Sequence, residues 1–368
     1  MARKRRGRGE GSVYQEPDGR WTGVISFGYT PDGKRRRKKV HGATKQEVLE
    51  KLRKLPGQQT GEPCKLTVGE YLKRWLENTA REKVGPTTYE RYKQVIENQI
   101  APYIGGLALV KLSALDVEDF YAEMKRKGIP TASRRNAALV LTNALRHAVR
   151  LKMIPAAPTA EVTKPKLAER EMRVLMDDEA KIFLTAARRS RHYALFALAV
   201  ATGMRRGELL GLHWPDVDFD AGTVTVRRTL VMVGQEFILK EPKTKASRRT
   251  ITVPAFALDA LHAHRKKMVA RGFADRPVFC NCRGGFIRGY NLLRCSFQPI
   301  LARAGLPKLR FHDLRHTHAT ALLSKGQPIK AVSQRLGHSD IGITLRVYAH
   351  VLPADDARLA GAIQTMYA

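Results

Sequence analysis

Acidic residues are scarce in this chain: 34 Asp and Glu stand against 66 Lys and Arg, a formal net charge of +32 over 368 residues. Such an imbalance excludes basic partners and points to a polyanion. Cysteine is nearly absent as well. Cys64, Cys280, Cys282 and Cys295 are too few and too unevenly placed for a disulfide framework. Cys280 and Cys282 form a CxC that, with Cys295 or with His262 and His264, offers the makings of a zinc set. Structural zinc sites use two ligand pairs at wider C-x-x-C-like spacing, so these side chains are read as ordinary ones. No apolar run reaches the roughly eighteen residues of a membrane span, and neither a basic amphipathic helix nor a lipidation motif is present to dock on a membrane. The opening MARKRRGRGEG lacks the apolar stretch of a signal peptide, which leaves the cytoplasm, and the nucleoid within it, as the expected location. A P-loop is missing, and so is any carboxylate cluster for two metals, so no cofactor is expected.

What the chain does have is organised in three segments. Residues 1–58 open with a basic arm and then read as strand (GSVYQE), turn (Pro17-Asp18-Gly19), strand (WTGVISFGY), turn (Pro31-Asp32-Gly33) and strand (KRRRKKV). Thr44 and Glu47 have the spacing of a capping box, which predicts a helix from Lys45 to Leu55 packed on the sheet through Val48, Leu49, Leu52 and Leu55. Residues 1–60 hold 16 Lys+Arg against 6 Asp+Glu, a net +10, and Arg35, Arg36, Arg37, Lys38 and Lys39 fall on one strand. A basic ribbon of this kind fits a DNA major groove; a charged edge strand that blocks aggregation is the plainer alternative.

A linker, GQQTGEPCK over residues 57–65, leads into a helical segment over residues 65–155. Thr67 is placed to cap its first helix, Thr87 with Glu90 its second, Ser113 its third, and Thr131 or Ser133 a fourth that runs to Lys152. Arg134 and Arg135, with Arg146, Arg150 and Lys152, make one face basic, as a DNA surface or as a solvated face. IPAAPTAEVTKPKLAER, from Ile154, reads as a second, extended linker. The third segment, residues 172–368, places helices before and after strands around TVTVRRTL, FILK and RRTITV, an α+β order with a small antiparallel sheet.

The chemistry concentrates near the C-terminus. His312 and Arg315 are three residues apart, so on a helix one anion touches both. Ten residues beyond His338 lies Tyr348, a phenol able to act as a covalent nucleophile once its proton is removed. Together with the charge, this is phosphate chemistry on a nucleic acid duplex, with salt-sensitive binding.

Five stretches in order, ATGMRRGELLGL, EPKTKASRRTI, HDLRHTHAT, LGHS and TLRVYAH, resemble the signature set of the tyrosine recombinases, the phage-integrase family. The basic N-terminal segment and the helical middle segment resemble, by pattern, the arm-binding and core-binding domains of lambda-type integrases. The resemblance implies an α+β multidomain fold: a three-stranded sheet with a helix, an all-α core-binding domain and a mainly α catalytic domain with a small sheet. It implies that Arg205 and Arg315 grip the scissile phosphate and that His312 and His338 flank it, His312 suited to proton transfer from the attacking tyrosine or to hydrogen bonding, and His338 to hydrogen bonding with a phosphate oxygen. Tyr348 would form a 3′-phosphotyrosyl link, Lys243 would protonate the leaving 5′-oxygen, and Glu208 would support the site. His316 and His318 match no position the family requires and are read as structural. The implied partners are double-stranded attachment sites, a homotetramer on DNA that passes through a Holliday junction, and directionality and DNA-bending factors of a phage or mobile element. The amphipathic tail PADDARLAGAIQTMYA suits docking on a neighbouring protomer or on its own domain. A type IB topoisomerase would use the same phosphotyrosine without exchanging duplexes, and a non-catalytic regulator would not need His312, Arg315, His338 and Tyr348 together.

Overall fold

β-Branched and aromatic residues between tight turns make the N-terminal sheet. In the computed structural model, which describes residues 12–29, 35–54, 66–167, 173–241, 247–348 and 356–367, β1 (Ser12–Gln15), β2 (Trp21–Tyr29) and β3 (Arg35–Gly42) pair antiparallel in that order. Gly19, at φ +84°, closes the first turn in the left-handed region that glycine favours. The helix Lys45–Lys54 lies on this sheet at Gly23, where a Cβ would come within 2.6 Å of Val48 and 2.7 Å of Leu52. Val48 is fully buried there, whereas Leu49, expected to pack as well, is 40% exposed. Thr44 caps the helix as its spacing predicts, and Glu47 returns to the backbone N–H of Ala43 rather than to that of Thr44. The basic arm, the Pro31-Asp32-Gly33 turn, Leu55 and the GQQTGEPCK linker lie outside the described residues.

By Cα proximity the chain divides into two units, Met1–Ala168 and Glu169–Ala368. In the first, the helices of residues 68–150 enclose one apolar core that includes Leu72, Ile100, Met124, Leu141 and Leu145. Thr67 and Ser113 close capping boxes with Glu70 and Asp116. The second helix departs from expectation: it starts at Pro86 with Gly85 as its cap, because proline at the first helical position costs no hydrogen bond and presets φ, so Thr87 sits inside the helix. The Thr131–Arg150 helix likewise takes Pro130 as its cap, without a hydrogen bond from Thr131 or Ser133. The stretch after it is no free linker at its start, since Ile154 and Thr159 are buried and Val162 packs on the helical core.

The second unit is built around the helix Tyr193–Thr202 (YALFALAVAT), which has apolar residues on every side and is accordingly buried on nearly all of them. Strands β4 (Val217–Asp218), β5 (Thr223–Val226) and β8 (Arg249–Thr252) form one sheet, while β6 (Thr229–Val233) and β7 (Glu236–Lys240) form a separate hairpin. TVTVRRTL, expected as a single strand, is broken at Arg227 and Arg228, whose guanidiniums reach the buried Asp216 carboxylate at 3.6 and 3.2 Å. The helices Asp313–Ser324, Ile329–Leu336 and Ile341–Tyr348 close the unit over a small core of Ala319, Leu323, Val332, Leu336 and Tyr348. Among the described residues no helix is long and apolar enough to cross a membrane, and no His/Cys/Asp/Glu group is arranged to hold a metal ion.

Candidate active site

Two arginines are held by the ends of two helices. The Tyr193–Thr202 helix stops at Gly203 and the Ile329–Leu336 helix at Gly337, both left-handed, at φ +63° and +71°. Such a cap turns carbonyls outward at the negative end of the helix dipole, where cations gain most. Gly203 O accepts from Arg315 Nη1 at 2.9 Å, and Gly337 O accepts from Arg205 Nη2 at 3.4 Å. A Cβ on Gly203 would meet His318 and Leu336 at 2.8 Å, so the close approach needs glycine for space as well as for φ.

Glu208 joins these elements from below. It is 3% exposed; its carboxylate caps the backbone N–H of Arg205 at 2.9 Å, pairs with Arg205 Nη1 at 2.9 Å and takes Arg249 Nη2 from β8 at 2.9 Å. Burial alone would raise its pKa, but the hydrogen bond and charge of Arg249, with those of Arg205, hold the carboxyl below its ordinary range. Arg249 is also anchored on Arg335 O at 2.7 Å, so it ties β8 to the helix that ends at Gly337. The stretch EPKTKASRRTI was noted in the sequence, yet nothing local marks Arg249, because its partners lie 41 and 86 residues away.

The start of the Asp313–Ser324 helix supplies the next groups. Asp313 accepts the backbone N–H of Arg310 at 2.7 Å and pairs with its guanidinium, which fixes this helix end. His312 is the residue before the helix and Arg315 follows one turn on, as their spacing predicts. Arg315 is 3% exposed, and its Nη2 has no hydrogen-bond partner among the described residues. Burial and the neighbouring Arg205 push its pKa down to about 9, so it stays a cation at neutral pH. A buried guanidinium N–H left open is costly unless an anion occupies the site.

Desolvation, together with His316, Arg315 and Arg205, pushes His312 down to about 4, although the residue as a whole is exposed. His338 is likewise lowered to about 4, by burial, Arg315 and Arg205, and its Nδ1 is hydrogen-bonded to the buried Thr344 hydroxyl at 2.8 Å. Both rings are neutral at physiological pH and suited to hydrogen bonding. Tyr348, at the end of its helix, is 1% exposed, and burial pushes its phenol up to about 12. Its hydroxyl lies 2.6 Å from Nδ1 of His316, a residue that sequence reasoning set aside as structural. The available signal was spacing, since His316 follows His312 by four residues and so shares its helix face. His318 is structural as read, with ring nitrogens bonded to Val200 O and Arg335.

Arg205, Glu208, His312, Arg315, His338 and Tyr348 thus belong to one arrangement of helix ends. Lys243 lies outside the described residues, between β7 and β8, and so do the side chains of Arg35 and Arg36. Arg37, Lys38 and Lys39 are exposed along β3. Arg134 and Arg135 are half-buried and already donate to carbonyls, Ile129 O at 3.1 Å and Pro165 O at 3.3 Å, which gives each a part in holding its own unit together. In the helix Asp356–Tyr367, Ile363, Met366 and Tyr367 are exposed. Of the cysteines, Cys280 is half-buried against Met268, and Cys282 and Cys295 are exposed.

The chain is similar in sequence and fold to known proteins. Residues 167–355 match the phage integrase family, and residues 67–125 match the phage integrase N-terminal SAM-like domain. A tyrosine recombinase XerC-like protein of Caldanaerobacter subterraneus subsp. tengcongensis is 30% identical over 90% of this chain and 92% of its own length. The integrase of Mycobacterium phage L5 is 29% identical over 82% of this chain and 80% of its own. Among solved structures, the Tn1549 transposon integrase in complex with a circular intermediate DNA superposes with a TM-score of 0.70 at 22% identity, over 81% of this chain and 99% of that one. A lambda integrase tetramer bound to a Holliday junction gives a TM-score of 0.60 at 18% identity, over 89% of this chain and 95% of that one. The match over just more than half the chain, and the end-to-end kinship with the XerC-like protein, establish that this chain belongs to the phage integrase family of tyrosine-type, site-specific DNA recombinases.

Proposed function

We propose that the chain recombines double-stranded attachment sites of a phage or integrative mobile element through a covalent link to Tyr348. The observation that carries this reading is the open, buried Nη2 of Arg315 beside Arg205, a phosphate-sized demand for negative charge at the site that holds the phenol. Arg205 and Arg315 grip the non-bridging oxygens of one phosphodiester and stabilise the charge of its pentacoordinate transition state. His312 and His338 each present a ring N–H to the same oxygens, which accept. Glu208 keeps both Arg205 and Arg249 in place. Lys243 serves as the acid that protonates the departing 5′-oxygen. Because the bond energy is kept in the phosphotyrosine, rejoining needs neither ATP nor a redox partner.

Exchange of two duplexes needs four such sites, which implies a homotetramer on DNA, the assembly in which lambda integrase was solved on a Holliday junction. The tail helix, with its exposed Ile363 and Met366, suits docking on a neighbouring protomer. The N-terminal sheet, with Arg35, Arg36, Arg37, Lys38 and Lys39 on one strand, is assigned to a second, arm-type DNA site. Directionality and DNA-bending factors belong to the same scheme, which operates on the bacterial nucleoid. Two differently labelled duplexes that carry the attachment sites test the proposal. Joined products with exchanged ends support it, whereas relaxation of supercoils without exchange would assign the chain to topoisomerase-like chemistry instead.

A further inference from the structure

The phenol that the reaction needs is buried, and among the described residues its hydroxyl is hydrogen-bonded to His316. We propose that His316 is the proton acceptor for Tyr348, with its Nδ1 taking the phenolic hydrogen as the oxygen attacks phosphorus. The inference rests on the reading of Tyr348 as the nucleophile and adds to it a residue outside the family's required positions.

The hydroxyl oxygen lies 2.6 Å from Nδ1, at the short end of hydrogen-bond distances, and the two rings are inclined by 53° with centroids 5.7 Å apart. Tyr348 is 1% exposed, so bulk water does not serve as its base in this state. His316 is placed by the helix that begins after His312 and carries Arg315, and it touches the His312 ring edge-on at 5.0 Å. The acceptor is therefore fixed relative to the guanidinium that receives the phosphate. Facing His316 are Tyr348 from the last helix of the site, His312, Asp313 and Arg315 around the start of its own helix, and Arg310 from the segment before it. Burial lowers the pKa of His316 below the ordinary histidine value, which leaves the ring neutral and Nδ1 free to accept at neutral pH. Asp313 opposes that shift and offers the imidazolium a counter-charge once the proton has moved.

The step balances. The Tyr348 O–H bond breaks as N–H forms on His316, O–P forms as P–O5′ breaks, and the 5′-oxygen takes its proton from the acid assigned to Lys243. Rejoining reverses each transfer, with His316 returning the proton to the phenol.

The test is single-turnover cleavage of a nicked suicide substrate by the full chain across pH, with wild type and Tyr348→Phe run alongside. Asparagine at 316 keeps an acceptor near the place of Nδ1 but cannot hold a proton. We expect His316→Asn to bind the substrate normally and to cleave about a hundredfold more slowly at neutral pH, with the deficit narrowing as pH rises and hydroxide replaces the missing base. A rate within about threefold of wild type, or a deficit of constant size at every pH as a merely structural role would give, overturns the proposal. Wild type that forms no Tyr348 adduct would instead bring down the reading of the nucleophile, and this inference with it. A second measurement needs no histidine variant. Imidazole 15N spectra of wild type and Tyr348→Phe should differ at one unprotonated, hydrogen-bonded nitrogen; no change, or a change at a protonated one, counts against His316 as acceptor.

Discussion

Removing the Glu208 carboxylate should cost the second unit a large share of its stability. Three donors converge on this group, the Arg205 backbone, the Arg205 side chain and Arg249, all at 2.9 Å, and Arg249 keeps only 8% of its side chain exposed. In Glu208→Ala the Arg249 cation stays buried without its counter-charge, a change that costs about 3–5 kcal/mol. For a unit the size of Glu169–Ala368, each kcal/mol moves Tm by roughly 2–4 °C, so a fall of about 6–20 °C is expected in a melting scan. Glu208→Gln, which keeps the shape and loses the charge, should fall less. The sign with pH follows from the lowered carboxyl pKa. A carboxyl held below its unfolded value stabilises the fold above about pH 4.5 and loses that contribution as pH falls through the folded value. The gap between wild type and Glu208→Ala should therefore be full at neutral pH and shrink as pH falls below the ordinary glutamate value through the lowered folded one. A Tm within about 2 °C of wild type at neutral pH, or a gap that stays constant into acid, would refute the buried network as the organiser of this site.

Arg315→Ala and Arg205→Ala should each slow single-turnover cleavage by about a hundred- to a thousandfold, because each removes a charge-assisted contact made most strongly in the transition state. Core-site affinity measured by gel shift should change far less. A chain starting near Gly61 should still cleave core DNA and yet fail to recombine full attachment sites; identical footprints of full-length and truncated chains on one attachment site would demote the N-terminal sheet to another role. The isolated N-terminal segment should bind a short duplex with a steep salt dependence, as the net +10 of residues 1–60 requires.

Local signals made much of this legible. β2 spans WTGVISFGY as expected, because β-branched and aromatic residues predominate between two turn signals. Ser113 and Thr67 were readable as caps because their partners lie three residues on. Thr87 misled because two start signals overlap there, and proline at the first helical position outweighed the side-chain cap. The break in TVTVRRTL was hidden because its cause, Asp216, lies on a different element. The motif residues of the site were visible as a resemblance, but what holds them was not. The Gly203 and Gly337 carbonyls reach arginines 112 and 132 residues away, and such pairings exist only once helices have packed. His316 stood in plain view one turn from His312, and its contact with Tyr348 depends on how the last helix of the site folds back.

The most direct test of the account is chemical mapping of the covalent adduct. A nicked suicide substrate that lets the cleaved 5′ strand diffuse away should trap wild type on DNA, and digestion followed by mass spectrometry should place the nucleotide on the phenolic oxygen of Tyr348. Tyr348→Phe should bind the same substrate and leave no adduct. An adduct on another side chain, or one of undiminished yield in Tyr348→Phe, would contradict the mechanism.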